Sequence, residues 1–149
     1  MDTPEMLRGL VRGLHHVAIA TEDLAASRRL YVDQLGMRPG QDEPELVETQ
    51  GVNVFVVYAG TQRIELVEPT GPDTPVGKFI AKRGPGLHHM AFEVDDLEAA
   101  LKTLSEDGVR LVHTSPQKGS HHTAIAFLHP GATGGVLMEL VQDPAPWDR

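Results

Sequence analysis

The 149-residue sequence contains no cysteine. That absence excludes disulfide bonds, thiolate-bound metals, iron–sulfur clusters and thiol nucleophiles. The sequence does contain eight histidines. Any metal ion in this protein must therefore be held by nitrogen and oxygen atoms.

Long apolar runs and excess positive charge are also missing. No segment approaches the ~20 apolar residues that a membrane span needs. The first residues, MDTPEMLRGLVRG, have neither the apolar core of a secretion signal nor the acid-poor composition of a transit peptide. The net charge is −8 and the 13 basic residues are scattered, whereas nucleic-acid binding needs clustered Lys and Arg. We therefore expect a soluble, cytoplasmic protein with no membrane or nucleic-acid partner.

The chain consists of two similar halves. The segment GLHHVAIATEDLAA, from Gly13, and the segment GLHHMAFEVDDLEA, from Gly86, are identical at eight of fourteen positions at an offset of 73. Near the other end of each half, IELV at 64–67 matches MELV at 138–141 at an offset of 74. Agreement at both ends indicates an internal duplication.

Apolar alternation, turn residues and helix-stop glycines predict the same element order in both halves. The elements predicted for the first half are strands over 13–20, 37–39, 52–58 and 63–67, and a helix over 23–35 with Leu24, Tyr31 and Leu35 on its buried stripe. The elements predicted for the second half are strands over 87–94, 109–112, 123–128 and 135–141, and a helix that a capping box of Asp95 and Glu98 begins and Gly108 ends. A short helix is expected near 77–82.

A βαβββ half leaves one face of its sheet uncovered, so the two halves should pair. The predicted fold class is α+β, with tandem βαβββ repeats that pair into one curved-sheet domain over 1–149 around a metal site. The first repeat is placed at 13–69, a Pro/Gly-rich connection at 70–85 and the second repeat at 86–143.

The candidate metal ligands follow from strand alternation, because neighbouring strand residues point to opposite faces. His16 shares its face with the small residues Ala18 and Ala20, which leave room for a ligand. His15 shares the other, bulky face with Ile19 and is expected under a helix.

The second repeat alternates in the same way. His89 lies with Ala91, whereas His88 lies with Met90 and Phe92 on the bulky face. In the last strand of each repeat, the glutamate points away from its apolar neighbours. The four candidate ligands are therefore His16, Glu65, His89 and Glu139.

Taken singly, a strand histidine is more often a core residue, and a glutamate in an apolar run more often marks a sheet edge. Four of them at symmetry-related positions favour a metal site. Two imidazoles and two carboxylates suit an octahedral divalent ion such as Co²⁺, Mn²⁺, Ni²⁺ or Zn²⁺, with water completing the shell. The other histidines are interpreted as structural or surface residues: His15, His88, His113, His121, His122 and His129.

At these residues the sequence resembles the vicinal oxygen chelate superfamily, built from paired βαβββ units around a metal, and within it the methylmalonyl-CoA epimerases. The matching stretches are HHVAIATEDL, QGVNVFV, IELVEPTGPDTPVGKFIAKRGPGLHHMAFEVDDLEAAL and FLHPGATGGVLMELVQ, which cover most of residues 13–142. The resemblance implies an isomerase of propionate metabolism that interconverts (2R)- and (2S)-methylmalonyl-CoA. It also implies a homodimer and a divalent ion, often cobalt, held by His16, His89 and Glu139 with Glu65 as the fourth ligand.

The implied chemistry removes and returns the C2 proton through a metal-stabilised enolate. One branch of the family has Gln at the position of Glu65 and a glutamate base at the position of Val54, and this sequence lacks that base. Glu65 and Glu139, on opposite flanks of the metal, suit a two-base mechanism and are the candidate catalytic residues. The identity of the second base is left open by the sequence.

Three other functions share parts of this pattern. A glyoxalase I-type lactoylglutathione lyase can use the same four ligands. An extradiol dioxygenase expects two histidines and one carboxylate around Fe(II), which leaves the second glutamate unexplained. A metal-free binding protein of the bleomycin-resistance type has no reason to keep the doubled His/Glu set.

The net charge of −8 is unfavourable for binding an anionic CoA ester, so local cations must compensate. The candidates near loops, each equally well explained as a surface charge, are Lys78, Lys82, Arg83 and Lys118.

Overall fold

The computed structural model describes residues 10–144. The α-helices are α1 (Leu24–Arg28), α2 (Pro75–Arg83) and α3 (Leu97–Glu106). The strands are β1 (Val11–Ala20), β2 (Arg38–Pro39), β3 (Glu45–Val47), β4 (Val52–Ala59), β5 (Gln62–Pro69), β6 (Gly86–Val94), β7 (Gln117–Lys118), β8 (Ala124–Phe127) and β9 (Met138–Gln142). A π-helical turn, Arg29–Gln34, follows α1, and short 3₁₀ turns occupy Glu48–Gln50 and Pro130–Ala132.

The strands of both repeats form one sheet. Its order is β2-β4-β5-β1-β6-β9-β8-β7, and β3 pairs with β4 beside this path. In each repeat the first strand runs parallel to the last, β1 to β5 and β6 to β9. The two repeats meet where β1 pairs antiparallel with β6. This arrangement confirms the predicted α+β fold with paired repeats.

The sheet has a helix-covered face and a cavity face, and alternate residues point to each. On the helix-covered face, Phe55 and Leu66 pack with Leu24 of α1, and Leu140 packs with Leu97 of α3. Each of these side chains is at most 5% exposed. Helices α1 and α3 therefore bury one face of the sheet, and the opposite face lines a cavity.

Helix α2 lies against the cavity face of the first repeat, where Val76 packs on Val54 and its neighbours. Thr74 is the N-cap of α2, and its hydroxyl accepts a hydrogen bond from the Gly77 backbone N–H at 3.1 Å. A Cβ atom at Gly77 would stand 2.3 Å from the Gly71 carbonyl oxygen. Glycine at this position thus lets the connection between the repeats fold closely over the sheet. Within residues 10–144, no helix is long and apolar enough to cross a membrane.

Several local predictions were wrong. The predicted helix over 23–35 changes into a π-helical turn after α1, which rotates the following residues, so that Val32 packs in the core and Leu35 is 58% exposed. The predicted strand over 109–112 is absent because the N–H groups of Val112 and His113 both donate to the Phe127 carbonyl, which leaves no ladder. A single bridge joins Leu111 to Leu128 instead.

Two more strand predictions need correction. The last strand begins at Met138 rather than at 135, because Gly134 and Gly135 have φ values of 75° and 102° that do not extend a strand. The short strands β3 and β7 were not predicted. The ends of the predicted domain, residues 1–9 and 145–149, lie outside the described residues.

The predicted cap of the second helix was one residue early. The Asp96 carboxylate accepts from the Ala99 backbone N–H at 3.0 Å and begins α3. Asp95 instead forms an exposed ion pair with Arg12 at 2.6 Å. Two adjacent aspartates therefore have separate roles, and they offer a matched test.

We expect Asp96→Ala to lower the free energy of unfolding by about 1 kcal/mol, because it leaves an unpaired N–H in the first turn of α3. Asp95→Ala should cost less than about 0.5 kcal/mol, since exposed ion pairs contribute little. Urea unfolding of both variants measures the difference, and equal losses would contradict the assignment of the cap.

Candidate metal centre and active site

Alanines separate the polar residues at the centre of the cavity face. In the strand register, Ala18 lies between Glu65 on β5 and His89 on β6. Its repeat mate Ala91 lies between His16 on β1 and Glu139 on β9. Both alanines are fully buried. Because a methyl group fills little space, the longer side chains on either side can meet above it.

Three of the four predicted ligands come together over these alanines. The Nε2 atoms of His16 and His89 are 3.2 Å apart. The Glu139 carboxylate lies 3.4 Å from Nε2 of His16 through Oε1 and 3.5 Å from Nε2 of His89 through Oε2. All three residues are buried, and their donor atoms lie within 4.8 Å of one another.

Glu65 lies at the opposite edge of the His16 ring. Its Oε2 atom is 3.4 Å from Nδ1 of His16. It therefore belongs to a second buried group, with His15 and His16, that overlaps the first at His16. The two glutamates flank one imidazole on its two nitrogen edges, and Glu65 does not reach the point where the three other donors meet.

Arg63 is a functional candidate that the sequence reasoning missed. Its side chain is 8% exposed, and Nη2 lies 3.2 Å from Oε2 of Glu65. The geometry is that of an ion pair without a hydrogen bond, because neither Nε nor Nη2 has a hydrogen-bond partner. The alignment of the two repeats could have identified Arg63, since the related position in the second repeat is the apolar residue Leu137. A buried cation where the other repeat has a leucine marks a difference between the two halves.

The histidine that precedes each candidate ligand also contacts it. Nδ1 of His15 lies 2.7 Å from Nδ1 of His16, and Nδ1 of His88 lies 2.8 Å from Nδ1 of His89. His15 is buried, and its Nε2 atom lies 2.8 Å from Oδ2 of Asp143. Interpreting both residues only as packing residues missed these contacts.

The predicted helix-covered position of His88 was wrong. Its ring packs edge-on against Phe79 of α2, with centroids 4.7 Å apart, on the cavity side. Met90, expected on the same helix-covered face, is 36% exposed and lines the cavity. The pairing of β1 with β6 contains register shifts, so strict alternation fails near the start of β6.

Burial sets the charge states of the central residues. It is the largest cause that lowers the pKa of His16 well below the ordinary imidazole value, followed by His15 and Arg63. It likewise lowers the pKa of His89, helped by His16 and His88 and opposed by Glu65. Burial, then Glu65, raises the pKa of the Glu139 carboxyl well above its usual range, and Arg63 opposes this shift.

This donor set fits a divalent cation. Two neutral imidazoles present nitrogen lone pairs, and the Glu139 carboxyl offers oxygen donors once its proton is released. Nitrogen and oxygen donors of this kind are typical for cobalt, nickel, manganese and zinc.

The candidate centre lies on the floor of a cavity of about 880 Å³. Its walls are largely apolar and include Val54 and Phe79 from the first repeat side and Ile125, Phe127 and Leu137 from the second. Val54, at the position where part of the family has a base, is 3% exposed within an apolar cluster. This wall supplies no proton-transfer group there.

Cations border the cavity on α2. Lys78, Lys82 and Arg83 line it, whereas Lys118, the fourth candidate, is not among the lining residues. A cavity with an apolar wall, a polar floor and cations on one side suits a ligand with an apolar arm and an anionic end.

The remaining histidines belong to neither group of candidate ligands. Nδ1 of His113 accepts from the Phe127 N–H at 3.0 Å, and this residue lines the cavity. His129 is the N-cap of the 3₁₀ turn over Pro130–Ala132. His121 and His122 have positive φ angles.

Known proteins resemble this chain in both sequence and fold. A family model of the Glyoxalase/Bleomycin resistance protein/Dioxygenase superfamily matches residues 15–127. The mitochondrial methylmalonyl-CoA epimerase of Bos taurus is 38% identical over 130 residues, which are 87% of this chain and 73% of that protein. The ethylmalonyl-CoA/methylmalonyl-CoA epimerase of Cereibacter sphaeroides is 38% identical over 137 residues, covering 89% of this chain and 99% of that protein.

A solved structure agrees with these relatives. The crystal structure of methylmalonyl-CoA epimerase from Mycobacterium tuberculosis superposes with a TM-score of 0.85 at 37% identity, covering 95% of each chain. The chain therefore belongs to the glyoxalase/bleomycin resistance protein/dioxygenase superfamily, and the relatives that it resembles in sequence and structure are methylmalonyl-CoA epimerases.

Proposed function

We propose that this protein interconverts (2R)- and (2S)-methylmalonyl-CoA by removing and returning the C2 proton. The observation that carries the proposal is the buried group of two histidines and a glutamate, with a second glutamate beside it, on the floor of the apolar cavity. The relatives named above support the choice of substrate.

The substrate sets the chemical requirement. Its C2 proton lies between a thioester carbonyl and a carboxylate, and its removal leaves negative charge that the site must stabilise. Inversion at C2 needs a base on one face and an acid on the other. Each such group contributes roughly 10²–10⁴-fold to the rate.

Glu65 and Glu139 are the proposed acid–base pair. They flank His16 on its two nitrogen edges, which suits proton transfer on opposite faces of one carbon. Their surroundings differ, because Arg63 lies 3.2 Å from Glu65 and compensates its charge. Burial and the Glu65 carboxylate instead favour the protonated form of Glu139 by raising its pKa.

The proposed metal ligands are His16, His89 and Glu139, whose donor atoms lie together. Glu65, the fourth ligand predicted from the sequence, would have to turn its carboxylate away from the Nδ1 edge of His16 to join them. A bound divalent ion would supply a Lewis acid for the developing negative charge. The buried imidazoles would hold it through Nε2, and the apolar walls would keep bulk water from the reacting carbon. Cobalt as the native metal stays a prediction. So do the single domain over 1–149, the homodimer, the cytoplasmic location and the place in propionate metabolism.

The central test follows the C2 proton in deuterated water. The wild-type protein with added Co²⁺ should exchange this proton and interconvert both epimers. We expect Glu65→Gln and Glu139→Gln to lower epimerisation roughly 10²-fold or more, with at most one-sided exchange remaining. NMR of the C2 position measures both quantities.

The matched control is Glu98→Gln, an exposed residue of α3, the helix on the opposite face of the sheet. It should retain wild-type epimerisation. Full activity in both Glu65→Gln and Glu139→Gln would exclude the two-base assignment. Turnover of the hemithioacetal of glutathione without exchange of methylmalonyl-CoA would point to the glyoxalase I-type reaction instead.

Metal binding should strengthen as the pH rises. Protons compete with the metal at Glu139, because its raised pKa keeps it protonated to higher pH, whereas the lowered pKa values of His16 and His89 leave them neutral. As long as Glu139 is protonated in the metal-free protein, binding of the metal releases one proton. The affinity for the metal therefore rises about tenfold per pH unit. Calorimetric titration with Co²⁺ between pH 6 and 8 measures this slope, and an affinity that falls with rising pH would contradict the assigned charge states.

The cations on α2 should contribute to CoA recognition. Lys78→Ala and Lys82→Ala should each raise KM for methylmalonyl-CoA by about 2- to 5-fold, since exposed charge contacts contribute up to ~1 kcal/mol. KM for methylmalonyl-pantetheine, which lacks the nucleotide phosphates, should not change. Lys102→Ala on α3 is the control. Equal effects on both substrates would show that these lysines do not contact the phosphates.

A further inference from the structure

Both repeats place two histidine Nδ1 atoms against each other. The distances are 2.7 Å between His15 and His16 and 2.8 Å between His88 and His89. One hydrogen at most fits between two nitrogens at this separation, so one ring donates and the other accepts. The direction of this bond decides which nitrogen of His16 and His89 keeps a free lone pair.

Asp143 sets the direction in the first repeat. A carboxylate oxygen accepts, so the Nε2 atom of His15, 2.8 Å from Oδ2 of Asp143, must carry the hydrogen. The Nδ1 atom of His15 is then left as the acceptor of the hydrogen on Nδ1 of His16, 2.7 Å away. His16 consequently keeps its lone pair on Nε2, the atom that faces Nε2 of His89 at 3.2 Å.

We propose that Asp143 and His15 fix His16 as the Nδ1-protonated tautomer, which leaves the lone pair of its Nε2 atom free for a metal ion. Asp143 and His15 are positioning residues, because they act through the ligand His16. The inference deepens the proposed metal site and rests on it.

The outer histidine of each pair, His15 or His88, has different contacts in the two repeats. Asp143 comes from the end of the second repeat and anchors the doublet of the first. The repeat-related position is Pro69, which has no side-chain acceptor, and the His88 ring packs on Phe79 instead. A hydrogen bond to Asp143 thus selects the tautomer of His15, whereas the contact of His88 with Phe79 selects none.

The direct test is NMR of the imidazole nitrogens in the ¹⁵N-labelled full chain, first without metal and then with Zn²⁺. We expect His16 to carry hydrogen on Nδ1 in both states, and His15 to carry it on Nε2. Zinc should shift the Nε2 resonances of His16 and His89. Hydrogen on Nε2 of His16 in the metal-free protein would overturn the proposal, and this outcome does not depend on whether the protein is an epimerase.

Variants test the energetic consequence by titration with Zn²⁺. His15→Leu removes the acceptor and should weaken zinc binding about 10- to 100-fold, the usual effect of losing an outer hydrogen bond to a ligand. His15→Asn carries an acceptor oxygen and should stay within about 3-fold of wild type, a rescue that a packing role would not produce. Asp143→Leu should bring a second tautomer of His15 into the spectrum.

Asp95→Asn, an exposed carboxylate outside the cavity, is the control and should bind zinc like the wild type. Equal zinc affinity in His15→Leu and wild type would overturn the proposal, as would equal losses in His15→Leu and His15→Asn. Absence of zinc binding by the wild type would instead contradict the proposed metal site, while the spectrum of the metal-free protein would still decide the tautomers.

Discussion

The antiparallel pairing of β1 with β6 is the constraint on which the site depends. It is the sole strand pairing that joins the two repeats in the described part of the chain. Its register places His89 beside Ala18 and His16 beside Ala91. A slip of one residue would turn each histidine to the opposite face. The site is therefore a property of the interface between the repeats, since no repeat contains both imidazoles.

Most of this architecture could be predicted from the sequence, because the duplication shows each weak pattern twice. A single alternation in GLHHVAIA does not distinguish a core histidine from a ligand, and its recurrence in GLHHMAFE is what made a ligand the better hypothesis, although His88 and Met90 depart from the predicted face. Placing Glu65 and Glu139 on the cavity face needed no more than the period of a strand. The four side chains could thus be assigned to one face, and the pairing of the repeats to one sheet, without coordinates.

What could not be predicted depends on angles and contacts between distant residues. The π-helical turn after α1 and the shared acceptor at Phe127 arise from backbone geometry that apolar patterns do not encode. The position of Glu65 at the Nδ1 edge of His16 depends on side-chain rotation. The approach of Asp143 to His15 joins the two ends of the described chain, and one sequence has no local signal for such a contact.

The repeats are alike in backbone but differ in charge. Arg63 and Asp143 have no charged counterpart at Leu137 and Pro69, and both act on the side of His16. The candidate donor residues are related by the repeat, whereas these two charged residues that contact their side of the site are not. The two glutamates at equivalent positions therefore have different surroundings, because Arg63 lies 3.2 Å from Glu65 and the position related to Arg63 in the second repeat is Leu137.

The placement of His16 and Glu139 near opposite ends of the described chain has a consequence for folding. Their meeting requires the central antiparallel pairing of β1 with β6 and the parallel pairing of β6 with β9, both of them non-local, and such contacts form slowly. A half-folded chain can present one histidine and one glutamate but no complete set of donors. An ion held by His16, His89 and Glu139 would therefore bind only after both repeats have joined, and it would stabilise their interface rather than start folding.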